Sequence, residues 1–176
     1  MNALIIEDSK ATAQKLSAIA EQEHCQTTLA YSGKEGFEAM ANAQFNIVLL
    51  DTVLPDLNGK EILEKIRENY HAAQLPVIAV SAYTDDASIL HTLDLGANDF
   101  IAKPFTDIHL RLKIRNLLHI QSINKELEVK KSQFASVFHH SPLGISILNT
   151  RGEVEMRNEA YAQLFGYTDT GSQQNF

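Results

Sequence analysis

The sequence has a single cysteine, no tryptophan, and only 4 prolines and 8 glycines among its 176 residues. One thiol, Cys25, excludes an internal disulfide and a cysteine metal cluster, and we expect it to be an inert packing residue in a reducing compartment. So little Pro and Gly excludes collagen-like and low-complexity chains, and 44% hydrophobic residues are typical of a globular protein. The length allows one full domain and part of another.

Long hydrophobic runs and positive charge are also scarce. No apolar run approaches the roughly 18 residues of a membrane helix, and Glu7 and Asp8 fall where a signal peptide has its apolar centre. We therefore expect a cytoplasmic protein without a membrane partner. With 15 Lys or Arg against 22 Asp or Glu, the net charge of -7 argues against a face built for nucleic acid. Residues 1–105 carry a net charge of -8, and residues 106–176 carry +1.

Short apolar runs alternate with segments of helical spacing in the acidic part of the chain. Runs of this length without strict alternation are typical of strands buried on both faces of a parallel sheet. The pattern predicts a doubly wound α/β domain of five strand and helix units that ends near residue 120. The predicted strands are 3–6, 28–31, 47–50, 77–80 and 100–102.

Helix boundaries have their own signals in the segments between these runs. A capping box pairs a small polar residue with a Glu three positions later, and a glycine is typical of a helix end. The predicted start signals are Ser32 with Glu35, Asn58 with Glu61, Thr84 and Thr106, and the predicted end signal is Gly96.

The candidate functional side chains lie at the ends of the predicted strands. In a doubly wound fold, ligands bind at the carboxyl ends of the strands. Clustered carboxylates there would repel one another and raise one another's pKa, so we expect a cation among them. The residues at these positions are Glu7, Asp8, Asp51, Ser81 and Lys103.

This set of side chains predicts phosphoryl transfer. Magnesium takes oxygen ligands, which Asp8 and Asp51 can supply. An oxygen of Asp51 can then attack a phosphoryl group to form an aspartyl phosphate. Lys103 and Ser81 can bind the other oxygens of the transferred group.

Four segments in this order and separation resemble the receiver domain of two-component response regulators, over about residues 1–120. The resemblance implies the CheY-like fold with its flavodoxin-like strand order. It also implies that Asp51 accepts a phosphoryl group from a histidine kinase, a phosphotransfer protein or a small phosphodonor. The segments are IIED at 5–8, LLDTVLPDLNG at 49–59, VSA at 80–82 and FIAKPF at 100–105.

The same resemblance implies roles for further residues. On phosphorylation the switch hydroxyl moves toward the phosphoryl group and the aromatic switch residue turns inward, which changes the face of the fourth helix, fifth strand and fifth helix. The implied Mg²⁺ (or Mn²⁺) ligands are Glu7, Asp8, Asp51 and the main-chain carbonyl of Val53. The implied switch and phosphate-binding residues are Ser81, Phe100 and Lys103, and Pro104 follows a peptide bond that is usually cis in the family.

The chain departs mildly from the commonest receiver pattern. Phe100 has no hydroxyl, unlike the tyrosine often found at the switch position. Val53 and Tyr83 carry no carboxylate or amide to orient an attacking water, so we expect slow self-dephosphorylation. A phosphoryl half-life of seconds in magnesium would contradict this expectation. We interpret Asp56 as a residue that only shapes its own loop, outside the site.

The fifth helix is predicted to continue without Pro or Gly to residue 140, with residues 121–140 as a linker. Apolar residues recur at intervals of three and four if Lys130 is admitted as a polar exception, which indicates a short heptad seam and a homodimer. The alternative is one amphipathic helix packed on its own domains. The seam residues are Ile120, Ile123, Leu127, Phe134 and Val137.

Residues 133–168 resemble the opening of a PAS sensory domain. A complete PAS domain is much longer, so we expect 141–176 to be its truncated N-terminal part in a piece of a longer regulator. Open sheet edges should leave this part poorly ordered or paired with another chain. The carrying features are Ser-Pro-x-Gly-Ile at 141–145, ILNTRGEV at 147–154 with a turn at Gly152, Asn158, and LFGY at 164–167.

Neither the output nor a second metal site can be assigned from these residues. The families attach receiver and PAS domains to histidine kinases and to cyclic-dinucleotide enzymes, and no residue here chooses between those effectors. His139 and His140 are adjacent, so on a helix they point about 100° apart, and we expect them to be structural rather than metal ligands.

Two other classes share parts of the pattern. A phosphatase of the haloacid dehalogenase type also has an Asp nucleophile after a strand, but it uses a second Asp two residues on, where this chain has Val53. A flavodoxin-like flavin protein needs a hydroxyl- and Gly-rich phosphate loop, whereas Glu7 and Asp8 would repel a phosphate without metal. We therefore expect a regulatory, non-enzymatic module, with the phosphatase as the alternative.

Overall fold

The computed structural model describes residues 1–82 and 85–166. The chain forms two compact units, Met1–Lys125 and Glu126–Phe176. The first contains a five-stranded sheet, and the second contains a two-stranded sheet. The predicted domain limits at residues 120 and 140 therefore stay a prediction.

The strands of the first unit are β1 (Asn2–Ile6), β2 (Gln26–Ala30), β3 (Ile47–Asp51), β4 (Val77–Ser81) and β5 (Asp99–Ala102). Their order in the sheet is β2-β1-β3-β4-β5, and every neighbouring pair is parallel. The predicted doubly wound fold with flavodoxin-like order is confirmed. The second strand ends before Tyr31, contrary to prediction, because the Tyr31 main-chain N–H donates to the Glu35 carboxylate at 2.6 Å.

The helices that alternate with these strands are α1 (Lys10–Glu21), α2 (Gly33–Asn42), α3 (Gly59–Asn69), α4 (Asp86–Asp94) and α5 (Asp107–His140). They cover both faces of the sheet and create two cores. Ile5 of β1 packs in one core with Leu16 of α1 and Leu110 of α5, whereas Ile6 of β1 packs in the other with Ile62 of α3. Consecutive residues of a strand face opposite sides, which explains why β1, β3 and β4 are apolar except at one terminal residue each.

The predicted capping boxes formed only in part. Ser32 caps α2, and its hydroxyl accepts a hydrogen bond from the Glu35 N–H at 3.2 Å. The Glu35 carboxylate accepts from Tyr31 and not from Ser32. Asn58 caps α3 as expected, but its side chain accepts from the Lys60 N–H at 3.0 Å.

The fourth helix starts at a different cap from the one predicted. Its N-cap is Asp85, whose carboxylate accepts from the Ser88 N–H at 2.9 Å. Thr84 lies outside the described residues. Gly96 follows the end of this helix with a φ of 100°, a conformation that favours glycine. The fifth helix begins at Asp107, directly after Thr106.

Helix α5 continues to His140, as the absence of Pro and Gly predicted. The five seam residues named above are about half exposed or more, with Val137 at 71%. They therefore form a solvent-exposed apolar strip along α5. Within the described part of the chain, no helix combines the length and apolarity needed to cross a membrane.

The second unit contains the end of α5, an antiparallel pair of strands β6 (Ser146–Leu148) and β7 (Val154–Arg157), and helix α6 (Glu159–Phe165). Asn158 is buried at its centre. Its side chain accepts from the Ile145 and Tyr161 main-chain N–H groups and donates to the Phe138 and Leu143 carbonyls. This network ties residues 141–158 together, and the expectation that 141–176 is poorly ordered or paired with another chain stays a prediction.

Candidate functional site

The site is formed where the strands end. Asp51 and Ser81 are the last residues of β3 and β4, Glu7 and Asp8 follow β1, and Lys103 follows β5. Because all five strands are parallel, their carboxyl ends meet at one edge of the sheet. The alternation of strand and helix therefore brings together residues that are up to 96 positions apart in sequence.

Three carboxylates converge at this edge. One ligand oxygen from each of Glu7, Asp8 and Asp51 lies within 4.8 Å of the other two. Glu7 is 1% exposed and Asp51 is 5% exposed, whereas Asp8 faces solvent. Within the described ranges, this is the one group of three or more acidic, His or Cys side chains with such spacing. The pair His139 and His140 is not part of such a group among these residues, and its structural role stays a prediction.

The Lys103 ammonium lies between two of these carboxylates. Its Nζ donates to Glu7 Oε2 at 2.7 Å and to Asp51 Oδ2 at 2.7 Å. Burial alone lowers the pKa of Lys103, but the hydrogen bonds and charges of Asp51 and Glu7 together raise it above the usual range. Burial also raises the pKa of Glu7, and the negative charge of Asp51 adds to this, although Lys103 opposes it. The cluster therefore favours added positive charge.

The loop after Asp51 is held tightly against it. The Val53 N–H donates to Asp51 Oδ1 at 2.9 Å, and the Gly59 N–H donates to the Thr52 carbonyl at 3.2 Å. A Cβ on Gly59 would lie 2.5 Å from Thr52 Cα and 2.6 Å from the Asp51 carbonyl oxygen. Only glycine fits this close approach. Each carboxylate oxygen of Asp51 thus has a fixed partner, Val53 on one side and Lys103 on the other.

The two predicted switch residues line a groove beside the acidic cluster. Ser81 is buried, and its hydroxyl accepts from the Thr52 hydroxyl at 2.7 Å. Phe100 is half-buried and lines the same groove, which has a volume of about 640 Å³ and includes Ser88 and Thr92 of α4. The groove connects the end of β4 to α4 and β5. Tyr83, one of the two residues behind the expectation of slow dephosphorylation, lies outside the described residues.

The peptide bond between Lys103 and Pro104 is cis. Lys15 of α1 reaches the segment that follows, and its Nζ donates to the Phe105 carbonyl at 3.4 Å. It also forms an ion pair with Asp107 at 3.3 Å.

The acidic residues suit a hard divalent cation. Glu7, Asp8 and Asp51 offer carboxylate oxygens, which Mg²⁺ prefers, and two of them are buried. The exposed position of Asp8 leaves one side of the group open to solvent. Magnesium usually keeps several waters, so an open side fits it better than a closed cage.

Sequence analysis missed two residues around this site. Thr52 contacts Ser81 across the sheet, and nothing in the sequence links a threonine to a serine 29 positions away. Asp56 was expected to shape only its own loop, but its carboxylate accepts from the Gly33 and Lys34 N–H groups of α2 at 2.9 and 3.0 Å. The helix start at Ser32 is a sequence signal that leaves those N–H groups in need of acceptors.

Comparisons with known protein families agree with the fold. The family model for the response regulator receiver domain matches residues 3–115. A PAS domain model matches residues 132–175. The chain therefore belongs to the receiver domain family of response regulators and carries a PAS segment after it.

Individual relatives are named as regulators. The chain is similar to response regulator ArlR of Staphylococcus saprophyticus, with 30% identity over 93% of this chain and 80% of that protein. It is 37% identical to the uncharacterized transcriptional regulatory protein YkoG of Bacillus subtilis over 65% of this chain and 50% of that one. The chain thus spans about half the length of some curated relatives.

Solved receiver domains share the architecture of the first unit. A CheY-like receiver domain protein from Methanospirillum hungatei has 30% identity and a TM-score of 0.63, covering 70% of this chain and 97% of that one. The beryllofluoride-activated DrrB receiver domain has 27% identity and a TM-score of 0.62, covering 67% of this chain and 97% of that one.

Proposed function

We propose that Asp51 accepts a phosphoryl group from a histidine kinase or a phosphotransfer protein, and that this controls a downstream effector. The observation that carries the proposal is the setting of the Asp51 carboxylate, which lies at a strand end between the Lys103 ammonium and the Val53 N–H. A carboxylate in this setting is oriented for attack on phosphorus. The Lys103 ammonium is placed to bind an oxygen of the incoming group as negative charge develops on it.

Glu7, Asp8, Asp51 and the main-chain carbonyl of Val53 would hold the Mg²⁺ (or Mn²⁺) ion. The bound ion would supply positive charge that offsets the repulsion between the carboxylates and the phosphoryl oxygens. Glu7 and Asp51 are buried, and their ion pairs with Lys103 hold both carboxylates in position. Asp8 is exposed and stands at the open side of the group.

Ser81 and Phe100 are proposed to convert phosphorylation into a change of surface. A phosphoryl group on Asp51 adds nearly two negative charges and three acceptor oxygens. The Ser81 hydroxyl would move toward it, and Phe100 would turn into the groove that both residues line. Because α4 and β5 border this groove, the face formed by α4, β5 and α5 would change with them.

Residues 1–120 would be the receiver, 121–140 the linker, and 141–176 the start of the PAS domain. The exposed apolar strip on α5 supports a homodimer through this helix and the linker. The change at the receiver would then reach the effector along the helix. We place the protein in the cytoplasm, where its kinase partner has access to it.

The alternative is an aspartyl-phosphate phosphatase of the haloacid dehalogenase type. Such an enzyme uses an acid two residues after the nucleophile, where this chain has Val53. The Val53 N–H bonds to Asp51, and its side chain is 51% exposed, so this position offers no proton donor to a leaving group. The geometry therefore favours a phospho-acceptor over a phosphatase.

The test is intact-mass spectrometry after incubation with magnesium and acetyl phosphate. The wild type should gain the mass of one phosphoryl group, and Asp51→Asn should gain none. The matched control is Asp94→Asn, which alters an exposed carboxylate on α4 and should behave like the wild type. An unchanged wild type, or an equal gain in wild type and Asp51→Asn, would defeat the proposal. Steady release of phosphate from phosphomonoesters would favour the phosphatase.

A further inference from the structure

Asp56 lies in the loop that joins β3 to α3, and its side chain points away from that loop toward α2. Its two carboxylate oxygens accept hydrogen bonds from the first two main-chain N–H groups of α2, Gly33 at 2.9 Å and Lys34 at 3.0 Å. One carboxylate thus connects the loop after Asp51 to a helix 22 residues earlier in the chain.

Asp56 supplies hydrogen-bond acceptors for main-chain N–H groups at the N-terminus of α2. The first N–H groups of a helix have no partner within it, and its positive end favours a carboxylate. The side chain of the helix's own cap, Ser32, accepts from the Glu35 N–H and thus leaves the Gly33 and Lys34 N–H groups to Asp56. The hydrogen bonds from Lys34 and Gly33 hold the pKa of Asp56 below its usual range, so the carboxylate is charged at neutral pH.

Further contacts within the loop connect Asp56 to Asp51. The Gly59 N–H donates to the Thr52 carbonyl, and Val53 and Asn58 form a bridge across the loop. Leu57 packs against α2, and a Cβ on Gly33 would meet its side chain at 3.0 Å. Val53 therefore lies in a closed loop that is attached to the sheet at Asp51 and to α2 at Asp56.

We propose that Asp56 is a positioning residue that holds the main chain of Val53 against Asp51. This inference rests on the proposed function, in which the Val53 carbonyl is a magnesium ligand. The Val53 N–H donates to one oxygen of Asp51 at 2.9 Å, and the ligand role proposed for the carbonyl of the same residue requires that the loop keep its shape. Asp56 is not among the residues proposed to hold the metal or the phosphoryl group. It acts through the loop, as residues behind metal ligands commonly do.

The test compares Asp56→Ala and Asp56→Asn with Glu38→Gln, which removes a charge from an exposed position further along α2. The first readout is hydrogen exchange of the Val53 amide, which needs neither metal nor phosphorylation. The second is the affinity for Mn²⁺, measured by calorimetry. We expect faster Val53 exchange and about 10-fold weaker Mn²⁺ binding in Asp56→Ala. Asp56→Asn keeps one acceptor oxygen and should be intermediate, and Glu38→Gln should match the wild type.

A structural role alone would lower the thermal stability of Asp56→Ala but leave Val53 exchange and Mn²⁺ affinity at wild-type values, and that result would overturn the proposal. If Asp56→Ala does not fold, Asp56→Asn gives the same comparison. Failure of the proposed function looks different. In that case wild type and Asp51→Asn bind Mn²⁺ equally weakly, and Val53 exchange still decides whether Asp56 positions the loop.

Discussion

The Lys103 ammonium reaches past β4 to the Asp51 carboxylate and pairs with it at 2.7 Å. The same nitrogen is 2.7 Å from Glu7, so one cation compensates two buried carboxylates, one at the end of β3 and one directly after β1, and neither strand is a neighbour of β5. Lys103 therefore bridges the two buried carboxylates of the acidic cluster. This arrangement explains how two carboxylates can be buried next to each other.

Replacing Lys103 should destabilise the fold more than breaking an ordinary ion pair. In Lys103→Met, Glu7 and Asp51 would stay buried without their cation, and we expect a loss of about 2 kcal/mol, between the values for exposed and fully buried pairs. The control is Lys113→Met, which breaks one half-exposed pair with Asp99. Urea unfolding without divalent cations measures both. Equal losses would show that the cluster does not depend on Lys103.

Gly59→Ala should disturb both the fold and the site. The added Cβ would meet main-chain atoms of Thr52 and Asp51 at 2.5 to 2.6 Å, and those atoms cannot rotate away. We expect a loss of about 2 kcal/mol and weaker magnesium binding.

Gly36→Ala is the matched control for this substitution. Its added Cβ would meet only the side chain of Ile6, which can move, so its loss should be smaller. Urea unfolding and a magnesium titration of both variants give the comparison. If Gly36→Ala costs more, the close approach at Gly59 is not a constraint.

Arg67 should stabilise the first unit without serving the site. Its guanidinium donates to the Gly96, Tyr70 and Leu75 carbonyls and to the Asn98 side chain, at the amino ends of β4 and β5. Arg67→Lys keeps the charge but loses the planar fork, so we expect a loss of about 2 kcal/mol from carbonyls left without donors.

The control for Arg67 is Arg111→Lys, which alters a more exposed pair with Glu23. Urea unfolding compares the two, and acetyl phosphate labelling should be unaffected in both. If Arg67→Lys lost its labelling under conditions where the variant is folded, Arg67 would also support the site.

The fold was predictable because its signals are local. A strand buried on both faces must be apolar throughout, so β1, β3 and β4 are visible as short runs in the sequence. The carboxyl ends of those runs then located Asp51 and Ser81. Helix starts were less certain, since Thr84 and Asp85 are both good caps and only the folded chain shows that Asp85 bonds to Ser88.

The parts that sequence did not predict are long-range contacts to main-chain groups. Arg67 binds carbonyls, and Asp56 binds N–H groups of α2. Every residue has a carbonyl, and every residue except proline has an N–H, so no residue type marks such a partner. The double contact of Lys103 is also long-range. Its contact with the Glu7 carboxylate depends on the spacing of the folded strands, which the sequence does not show.

The apolar strip on α5 should bring two copies of the chain together. Leu127→Lys places a charge in the middle of the strip, and we expect a homodimer in the wild type and a monomer in this variant by light scattering. Leu148→Lys, which alters an equally exposed leucine on β6, should leave the dimer intact. A monomeric wild type at high concentration would contradict the dimer.

The most direct measurement of the central claim is to locate the phosphoryl group. Borohydride reduces an acyl phosphate to an alcohol, so treatment after labelling with acetyl phosphate and magnesium leaves homoserine at the residue that was phosphorylated. Peptide mass spectrometry should find that change at Asp51 and at neither Asp8 nor Asp56, although Asp8 lies in the same cluster and is more exposed. Homoserine at position 8 or 56, or at none in a labelled protein, would contradict the assignment of Asp51 as the phospho-acceptor.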